Sequence, residues 1–225
     1  MLPEIPVSRR SALHFFTTRV CAAALSSATL GAATLVLATF SAADAQAAGT
    51  ASADQADSSD KVAGLLRSGG CVVLLRHAAT DPGVGDPPEF ALGDCRTQRN
   101  LSPAGQQDTK RIGAWFASRD LTPRTVRSSA WCRCKDTADL AFGRHEVWAA
   151  LNSIFGDRVQ RPDQAAQTAL TALLRQTMAR IPARQFDVWV THQVNMSAIA
   201  GEGAAMGEAL IVDRAGRLLA RSAFV

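Results

Sequence analysis

Two apolar runs constrain the fold of this 225-residue chain more than any other feature. Residues 71–75 read CVVLL directly after two glycines, and residues 186–191 read FDVWVT. Short runs that are rich in Val and apolar at nearly every position are typical of strands buried on both faces of a sheet. Because such strands must be covered by helices on either side, the pattern favours an α/β fold.

Helical and turn patterns alternate with these runs along the chain. Ser102 followed by Pro103 predicts a helix start, because Ser is a good N-cap and Pro suits the first helical position. The remaining predicted elements are a short strand at residues 125–129, helices over residues 131–142 and from Pro162, and a hairpin of residues 209–212 and 218–223. Strands alternating with helices predict a three-layer α/β/α domain with a mainly parallel central sheet.

The N-terminal residues 1–47 predict an export signal peptide. Three arginines at positions 9, 10 and 19 precede 21 uncharged residues, and an A-x-A pattern then predicts cleavage near Ala45 to Ala48. Residues 48–60, dominated by Ala, Ser and Asp, predict a disordered leader, which leaves residues 61–225 as the folded domain. The expected location is the bacterial envelope, in the periplasm or secreted from the cell.

Two alternatives to ordinary signal cleavage stay open. Ser8-Arg9-Arg10 also suits a twin-arginine export signal, although Ala12 stands where Phe is usual. The uncharged stretch is long enough to span a bilayer, so an uncleaved signal would be a membrane anchor. In either case we expect only this segment to contact a membrane.

The charge balance argues against one class of partner. The formal net charge is +4, and loss of three Arg, one Glu and one Asp with the signal lowers it to +3. An excess this small and scattered does not favour nucleic-acid binding. It would suit a small anionic substrate if arginines converge in the fold.

Four cysteines remain after signal cleavage: Cys71, Cys95, Cys132 and Cys134. An oxidising compartment favours a disulfide, and Cys132 and Cys134 are too close in sequence to bridge one another easily. We therefore predict a disulfide from Cys95 to either Cys132 or Cys134. A zinc site is disfavoured because C-x-C lacks a second ligand pair at finger spacing, so no metal is expected.

Unusual polar residues stand where the predicted strands end. Arg76-His77 follows the first strand, Arg133 lies one turn into the helix after the second, and His192 follows the later strand. Open α/β sheets bind ligands at the carboxyl ends of their strands, so parallel strands would bring these two histidines and two arginines to one pocket. A phosphate would balance the positive charge. Guanidinium groups grip its oxygens, and a neutral imidazole can attack phosphorus without a metal or cofactor.

Five motifs in chain order resemble the histidine phosphatase superfamily, which includes phosphoglycerate mutases and phosphohistidine phosphatases. They lie within residues 71–212, nearly the whole expected domain. The motifs are LRHAAT (75–80) for the family's R-H-G, NLSPAGQ (100–106) for L-T-x-x-G-x-x-Q, VRSS with Arg133 and Thr137 for SSP-x-x-R-x-x-x-T, VWVTH (188–192) for the second histidine, and GE (207–208). The resemblance implies a phosphoglycerate mutase-like fold.

The resemblance also implies a role for each matching residue. His77 would be the phosphorylated nucleophile, with its other ring nitrogen held by a backbone carbonyl. Arg76 and Arg133 would clamp the phosphoryl group. His192 would donate a hydrogen bond to that group, and the Thr80 hydroxyl would contact it.

The predicted loop at residues 81–100 is expected to lie over the pocket. It holds three Pro, three Gly and three Asp, and loops this long are usually functional or disordered. Arg99 and Arg96 on this loop are candidates for binding a second anionic group of the substrate. A disulfide from Cys95 would pin the loop beside Arg133.

The chain departs from the family pattern at the residue that would protonate the leaving group. Ser153 stands where mutases and many phosphatases have Glu, and Ala78 and Ala79 replace the Gly and the acidic residue that commonly follow the first His. A mutase is therefore not expected, whereas phosphoramidates and low-pKa leaving groups need less protonation. Candidates for a substitute acid are Asp81, Asp86, Glu89 and Asp157.

The sequence thus predicts a metal-independent phosphatase that hydrolyses a small phosphomonoester or phosphoramidate through a phosphohistidine intermediate. The alternative is a catalytically weak or inactive relative that binds a phosphorylated or anionic ligand in the bacterial envelope, motivated by Ser153 and Ala79. Hydrolysis of p-nitrophenyl phosphate that depends on His77 would distinguish the two.

Overall fold

A computed structural model describes residues 58–153 and 164–224 of the chain. One sheet holds six strands: β1 (Cys71–Arg76), β2 (Val126–Ser128), β3 (Glu146–Val147), β4 (Phe186–Thr191), β5 (Ala209–Asp213) and β6 (Leu218–Ser222). The helices are α1 (58–68), α2 (Pro103–Ala117), α3 (Cys132–Phe142), α4 (Gln164–Ala179) and α5 (Gln193–Ala200), with 3-10 turns at Cys95–Thr97 and Ala149–Leu151.

The sheet is mainly parallel, as predicted. Its strand order is β3-β2-β4-β1-β5-β6, and the first four strands in that order run parallel to one another. β5 is antiparallel to β1, and β6 pairs with β5 as the predicted hairpin. β1 and β4 therefore lie at the centre, where both faces of each strand are covered.

Helices cover both faces of this sheet, so the three-layer prediction is also confirmed. Val73 and Leu75 of β1 pack with apolar side chains of α1, α2 and α3 in one core. Val72 and Leu74, one residue out of step, pack with side chains of α4 and α5 in a second core. The unbroken apolar run in β1 exists because successive residues point to opposite faces, and both faces are buried.

Three elements were not predicted, and each gives a weak signal in the sequence. β3 has only two residues, too few for an alternating pattern, and α5 has only eight. Residues 58–60, which we assigned to the disordered leader, are instead helical in α1. The Ser59 hydroxyl accepts a hydrogen bond of 2.7 Å from the Trp115 ring nitrogen in α2, so a tertiary contact ties down a segment whose composition resembles a leader.

The predicted start of α2 is confirmed, and it is docked against the chain that follows β1. The Ser102 hydroxyl caps the helix by accepting from the Gly105 N–H at 3.1 Å. The Ala79 carbonyl accepts hydrogen bonds from the Ser102 N–H at 3.0 Å and from its hydroxyl at 3.2 Å. A Cβ at position 105 would lie 2.0 Å from that carbonyl oxygen, so this approach requires glycine.

Some predictions fall outside the described residues. These are the signal peptide, most of the leader, the helix start at Pro162, and Asp157. Within the described ranges, no helix combines the length and apolar character needed to cross a membrane.

Candidate active site

Two histidines meet at the carboxyl edge of the sheet. β1 and β4 are parallel neighbours with Arg76 opposite Thr191, so the residues that follow, His77 and His192, lie side by side. Their ring centroids are 5.4 Å apart, with the ring planes at 65°. Their exposed fractions are 3% and 5%. The fold thus brings together the two histidines that the sequence placed at strand ends.

The His77 ring has a defined tautomer. Its Nδ1 lies 2.9 Å from the Ala78 carbonyl oxygen, and because a carbonyl can only accept, Nδ1 carries the proton and Nε2 the lone pair. Burial is the largest cause that lowers the pKa of His77 to about 3. The bond to Ala78 opposes this shift, and nearby arginines reinforce it. At neutral pH the ring is uncharged, with Nε2 as a potential nucleophile.

His192 is held through Nε2, whereas His77 is held through Nδ1. Its Nε2 lies 3.0 Å from the Ser129 hydroxyl, which donates its own proton to the side-chain oxygen of Asn152 at 3.0 Å. Nε2 is therefore the protonated nitrogen, and Ser129 is the acceptor. Burial, followed by the charge of His77 and then of the arginines, lowers the pKa of His192 well below its usual value. His192 can donate to a ligand through Nδ1 only after taking up a proton, which a nearby phosphoryl dianion would favour.

Three arginines surround this pair of rings. Arg76 ends β1, Arg133 lies in the first turn of α3, and Arg99 lies on the loop before α2. Burial and the positive charges of Arg99 and Arg133 lower the pKa of Arg76, and burial is the main cause that lowers the pKa of Arg133. Arginine remains cationic in proteins even so, and the cluster is strongly positive.

All three arginines are anchored in the same way. Each donates from Nη1 to a protein oxygen: Arg76 to the Ala204 carbonyl at 2.7 Å, Arg99 to the Val84 carbonyl at 3.0 Å, and Arg133 to the Asp86 carboxylate at 3.0 Å. The Nε atom of each is buried and has no hydrogen-bond partner within the described part of the chain. Buried donors are nearly always paired in folded proteins, so three such atoms in one place point to a ligand with several acceptor oxygens.

The predicted disulfide is present as Cys95–Cys132, one of the two pairings that the sequence left open. It joins the loop that carries Arg99 to the first residue of α3, next to Arg133. Cys71 and Cys134 are buried free thiols, and burial raises their pKa values to about 11 and about 12. They are therefore poor nucleophiles at neutral pH.

Other residues proposed for the site lie in different surroundings. Thr80 is buried, with its hydroxyl 3.8 Å from the Met206 sulfur. Arg96 is exposed and pairs with Asp94 at 2.7 Å, in keeping with a surface role. Asp81 and Glu89 are exposed. Their roles stay predictions.

Sequence reasoning missed the residues that hold the catalytic candidates in place. Asp86 was considered only as an acid, yet its carboxylate contacts Arg133. Ser129 was noticed as a strand end, but its bond to His192 and the support from Asn152 were not foreseen. Asn152 stands next to Ser153 in the sequence, and no local pattern indicated its contact with Ser129. No cluster of three or more His, Cys, Asp or Glu that could hold a metal ion occurs among residues 58–153 and 164–224.

No protein-family model matches the chain, and no curated protein matches its sequence. Solved structures with a similar fold belong to the histidine phosphatase superfamily. Protein histidine phosphatase SixA in complex with tungstate is 15% identical, with a TM-score of 0.42, over 65% of this chain and 91% of that one. Phosphoglycerate mutase from Thermus thermophilus is 16% identical, with a TM-score of 0.47, over 67% and 97%. A mycobacterial glucosyl-3-phosphoglycerate phosphatase with VO3 is 16% identical, with a TM-score of 0.46, over 64% and 92%.

Proposed function

We propose that the protein is a phosphatase of the histidine phosphatase superfamily, which hydrolyses a small phosphomonoester or phosphoramidate through a phosphohistidine at His77. One observation carries the proposal. The neutral Nε2 of His77 lies in a cluster of three arginines whose buried Nε donors have no partner among the described residues. A tetrahedral oxyanion supplies the acceptors that such a cluster needs, and its phosphorus is the electrophile that a neutral imidazole can attack.

The reaction takes two displacement steps. His77 Nε2 attacks phosphorus and forms an N–P bond, while the bond from phosphorus to the leaving group breaks and that group keeps the electron pair. Water then attacks the phosphohistidine, the N–P bond breaks, and inorganic phosphate leaves with Nε2 restored. Arg76, Arg99 and Arg133 stabilise the charge on the non-bridging oxygens in both steps, so the charges of the chain itself can serve without a metal.

His192 would assist from the side of its Nδ1. When a phosphoryl group binds, its negative charge favours protonation of His192, and Nδ1 can then donate to a phosphoryl oxygen. Ser129 and Asn152 keep the ring oriented while its charge changes. Since Ser153 replaces the usual acid, we expect phosphoramidates and phosphates with low-pKa leaving groups to be the better substrates.

The second candidate function is binding of a phosphorylated ligand without turnover. Ser153 favours it, because a hydroxyl cannot act as the carboxylic acid of an efficient phosphatase. The arginine cluster would serve both functions equally well. Turnover alone separates them.

Hydrolysis of p-nitrophenyl phosphate and acetyl phosphate tests the proposal. We expect turnover that survives EDTA and falls by roughly 10³-fold or more in His77→Ala, because loss of the nucleophile removes the covalent route. His145→Ala is the matched control, since His145 pairs with the exposed Asp139 at 2.6 Å outside the cluster. Rapid quenching of the wild type should leave acid-labile phosphate on the protein. Equal activity in the wild type and His77→Ala would refute the proposal.

The cellular location is part of the proposal. The Cys95–Cys132 disulfide is compatible with an oxidising compartment. We place the mature enzyme in the bacterial envelope, in the periplasm or secreted, where it acts on a small phosphorylated substrate. Fractionation of cells that express the full chain with a C-terminal tag tests this. A tagged protein of full length in the cytoplasm would contradict export.

A further inference from the structure

We infer that Asp86 is a positioning residue that aims two arginines at the phosphoryl group, an inference that rests on the proposed function. Its Oδ1 accepts a hydrogen bond from Arg133 Nη1 at 3.0 Å and another from the Arg99 N–H at 3.0 Å. One carboxylate oxygen thus joins the first turn of α3 to the loop before α2. No motif of the resemblance includes Asp86.

The geometry of guanidinium explains why this contact matters. Nη1 and Nε lie on different edges of the planar group, and Nε shares its edge with Nη2. A carboxylate on Nη1 therefore leaves the Nε edge of Arg133 for a second oxyanion. Arg133 is also stacked 4.3 Å above the Trp131 ring, so its plane and its rotation within that plane are both fixed.

The same short segment controls Arg99. The Val84 carbonyl accepts from Arg99 Nη1 at 3.0 Å, and Asp86 accepts from the Arg99 backbone. The disulfide ties this loop to α3 independently at Cys95. Residues 84–86 therefore set the directions of Arg99 and Arg133 together, and Asp86 is the charged part of that segment.

Two other roles for Asp86 fit the contacts less well. As a plug that a phosphate must displace, it would occupy the Nε edge of Arg133, but it occupies Nη1. As the acid that protonates the leaving group, it would need a proton on an oxygen directed at the substrate. Oδ1 accepts two hydrogen bonds from the protein, so only Oδ2 could carry that proton without disrupting them, and the leaving-group comparison below tests this role.

Substitutions at Asp86 give each role a different signature. We would measure kcat and KM for p-nitrophenyl phosphate and for an alkyl phosphate, and the Kd of inorganic phosphate by calorimetry. Asp86→Ala should raise KM and Kd about tenfold and lower kcat for both substrates alike, because the arginines keep their charge but lose their orientation toward the phosphoryl group. Asp86→Asn keeps an oxygen acceptor of the same shape and should restore both constants to within about threefold of the wild type.

The controls address charge and folding. Asp94→Asn removes the same charge from the same loop, where Asp94 pairs with the exposed Arg96, and it should leave every constant unchanged. Asp86→Ser shortens the side chain as Asp86→Ala does, so both variants lose the contact with Arg133, and the two are measured together. A thermal melt of each variant establishes that the protein is folded before its constants are compared.

Three outcomes would overturn the inference while the proposed function stands. Tighter phosphate binding in both Asp86→Ala and Asp86→Asn would identify a plug. A fall in kcat for the alkyl phosphate alone in both variants would identify the acid. Unchanged constants in an active enzyme would show that Asp86 has no part in the site. A wild type that neither hydrolyses these substrates nor binds phosphate would overturn the proposed function together with the inference.

Discussion

Arg124 and Arg133 both lie beside the central strands, but at opposite ends of the sheet, and they use their guanidinium groups differently. At the amino end of β4, Arg124 donates from Nε at 2.9 Å and from Nη2 at 2.7 Å to the two carboxylate oxygens of Asp187. At the carboxyl end, Arg133 donates to Asp86 from Nη1. Its Nε is buried without a partner among the described residues.

The difference separates a structural ion pair from the candidate binding site. Asp187 is fully buried, and a buried carboxylate needs a bidentate partner to offset the loss of its hydration. The edge that grips Asp187 in Arg124 is the edge that Arg76, Arg99 and Arg133 leave without a protein acceptor among the described residues. The fold therefore pairs the Nε edge of one arginine with a protein carboxylate and leaves that edge open in three others, which are the ones we propose to bind the phosphoryl group.

Loss of Arg133 should have the largest effect on activity and little effect on stability. We expect Arg133→Ala to lower kcat/KM by roughly 10² or more, because a charge-assisted donor to the transferring group is typically worth about 3 kcal/mol. The variant loses the ion pair with Asp86, but the Asp86 side chain is 20% exposed and can be hydrated, and one of several like charges is removed, so the protein should stay folded. Arg127→Ala is the control, since Arg127 stacks on Trp148 at 4.8 Å and pairs with Glu146 at 3.7 Å. An equal loss of kcat/KM in Arg133→Ala and Arg127→Ala would show that the cluster of Arg76, Arg99 and Arg133 is not the active site.

Loss of the disulfide should have the next largest effect, and it should lower both activity and stability. The bridge closes a loop across a sequence separation of 37 residues, so Cys95→Ser/Cys132→Ser should lower the free energy of unfolding by about 4 kcal/mol. KM should rise as well, because the loop that carries Arg99 is freed from α3. Denaturant titration and steady-state kinetics measure the two effects. Dithiothreitol should weaken the wild type and leave the double variant unchanged, and sensitivity of the variant would contradict this account.

Loss of Arg124 should lower stability and have little effect on activity, the reverse of what we expect for Arg133. Arg124→Ala leaves Asp187 buried without its partner, and we expect the free energy of unfolding to fall by about 2 kcal/mol. This is below the value for a fully buried pair because the Arg124 side chain is 34% exposed. kcat/KM should stay within about threefold. Arg217→Ala, whose side chain is 83% exposed in its pair with Asp213, should change neither quantity. A large loss of kcat/KM in a folded Arg124→Ala variant would contradict the assignment of Arg124 to stability and of Arg133 to activity.

The smallest effect concerns pH and the histidines that the arginines surround. The pKa of His77 is about 3 in the folded protein and about 6.5 in an unfolded chain. Between these values only the unfolded state binds the proton, so the contribution of His77 to stability is present above about pH 6.5 and is lost as pH falls toward 3. From pH 7 to pH 5.5 the loss is about 1.3 kcal/mol. Denaturant titrations at both pH values should show that His77→Asn lacks this loss, while His145→Asn retains it. An equal pH dependence in His77→Asn and the wild type would contradict a buried neutral ring.

Much of the fold was predictable because its signals are local. The runs in β1 and β4 are apolar at successive positions since both faces are buried, and the Ser102-Pro103 helix start is a short-range rule that the structure obeys. No helix was predicted at α1, and one reason is that its first turn is fixed by a contact to Trp115 in α2. A contact between distant residues leaves no periodic trace in the sequence.

The candidate site divides along the same line. Arg76, His77, Arg133 and His192 were identified because they stand at strand ends and in family motifs. Asp86 carries no such mark. It stands in a loop rich in Pro and Gly, and its contact with Arg133 spans 47 positions. Loop geometry, set by the disulfide and by backbone hydrogen bonds, decides that contact.

The sequence by itself determined the α/β architecture, the residues at strand ends and on α3 that form the candidate site, and the cysteine that would bridge to α3. Periodicity, capping and strand ends depend on neighbours within a few positions, and a sequence states those directly. Only the tertiary structure decided which edge of each guanidinium is occupied, which nitrogen of each histidine carries the proton, and which of two cysteines pairs with Cys95. These are matters of ångström-scale direction between residues far apart in the chain, and hydrogen bonds and disulfides form only when that direction is met.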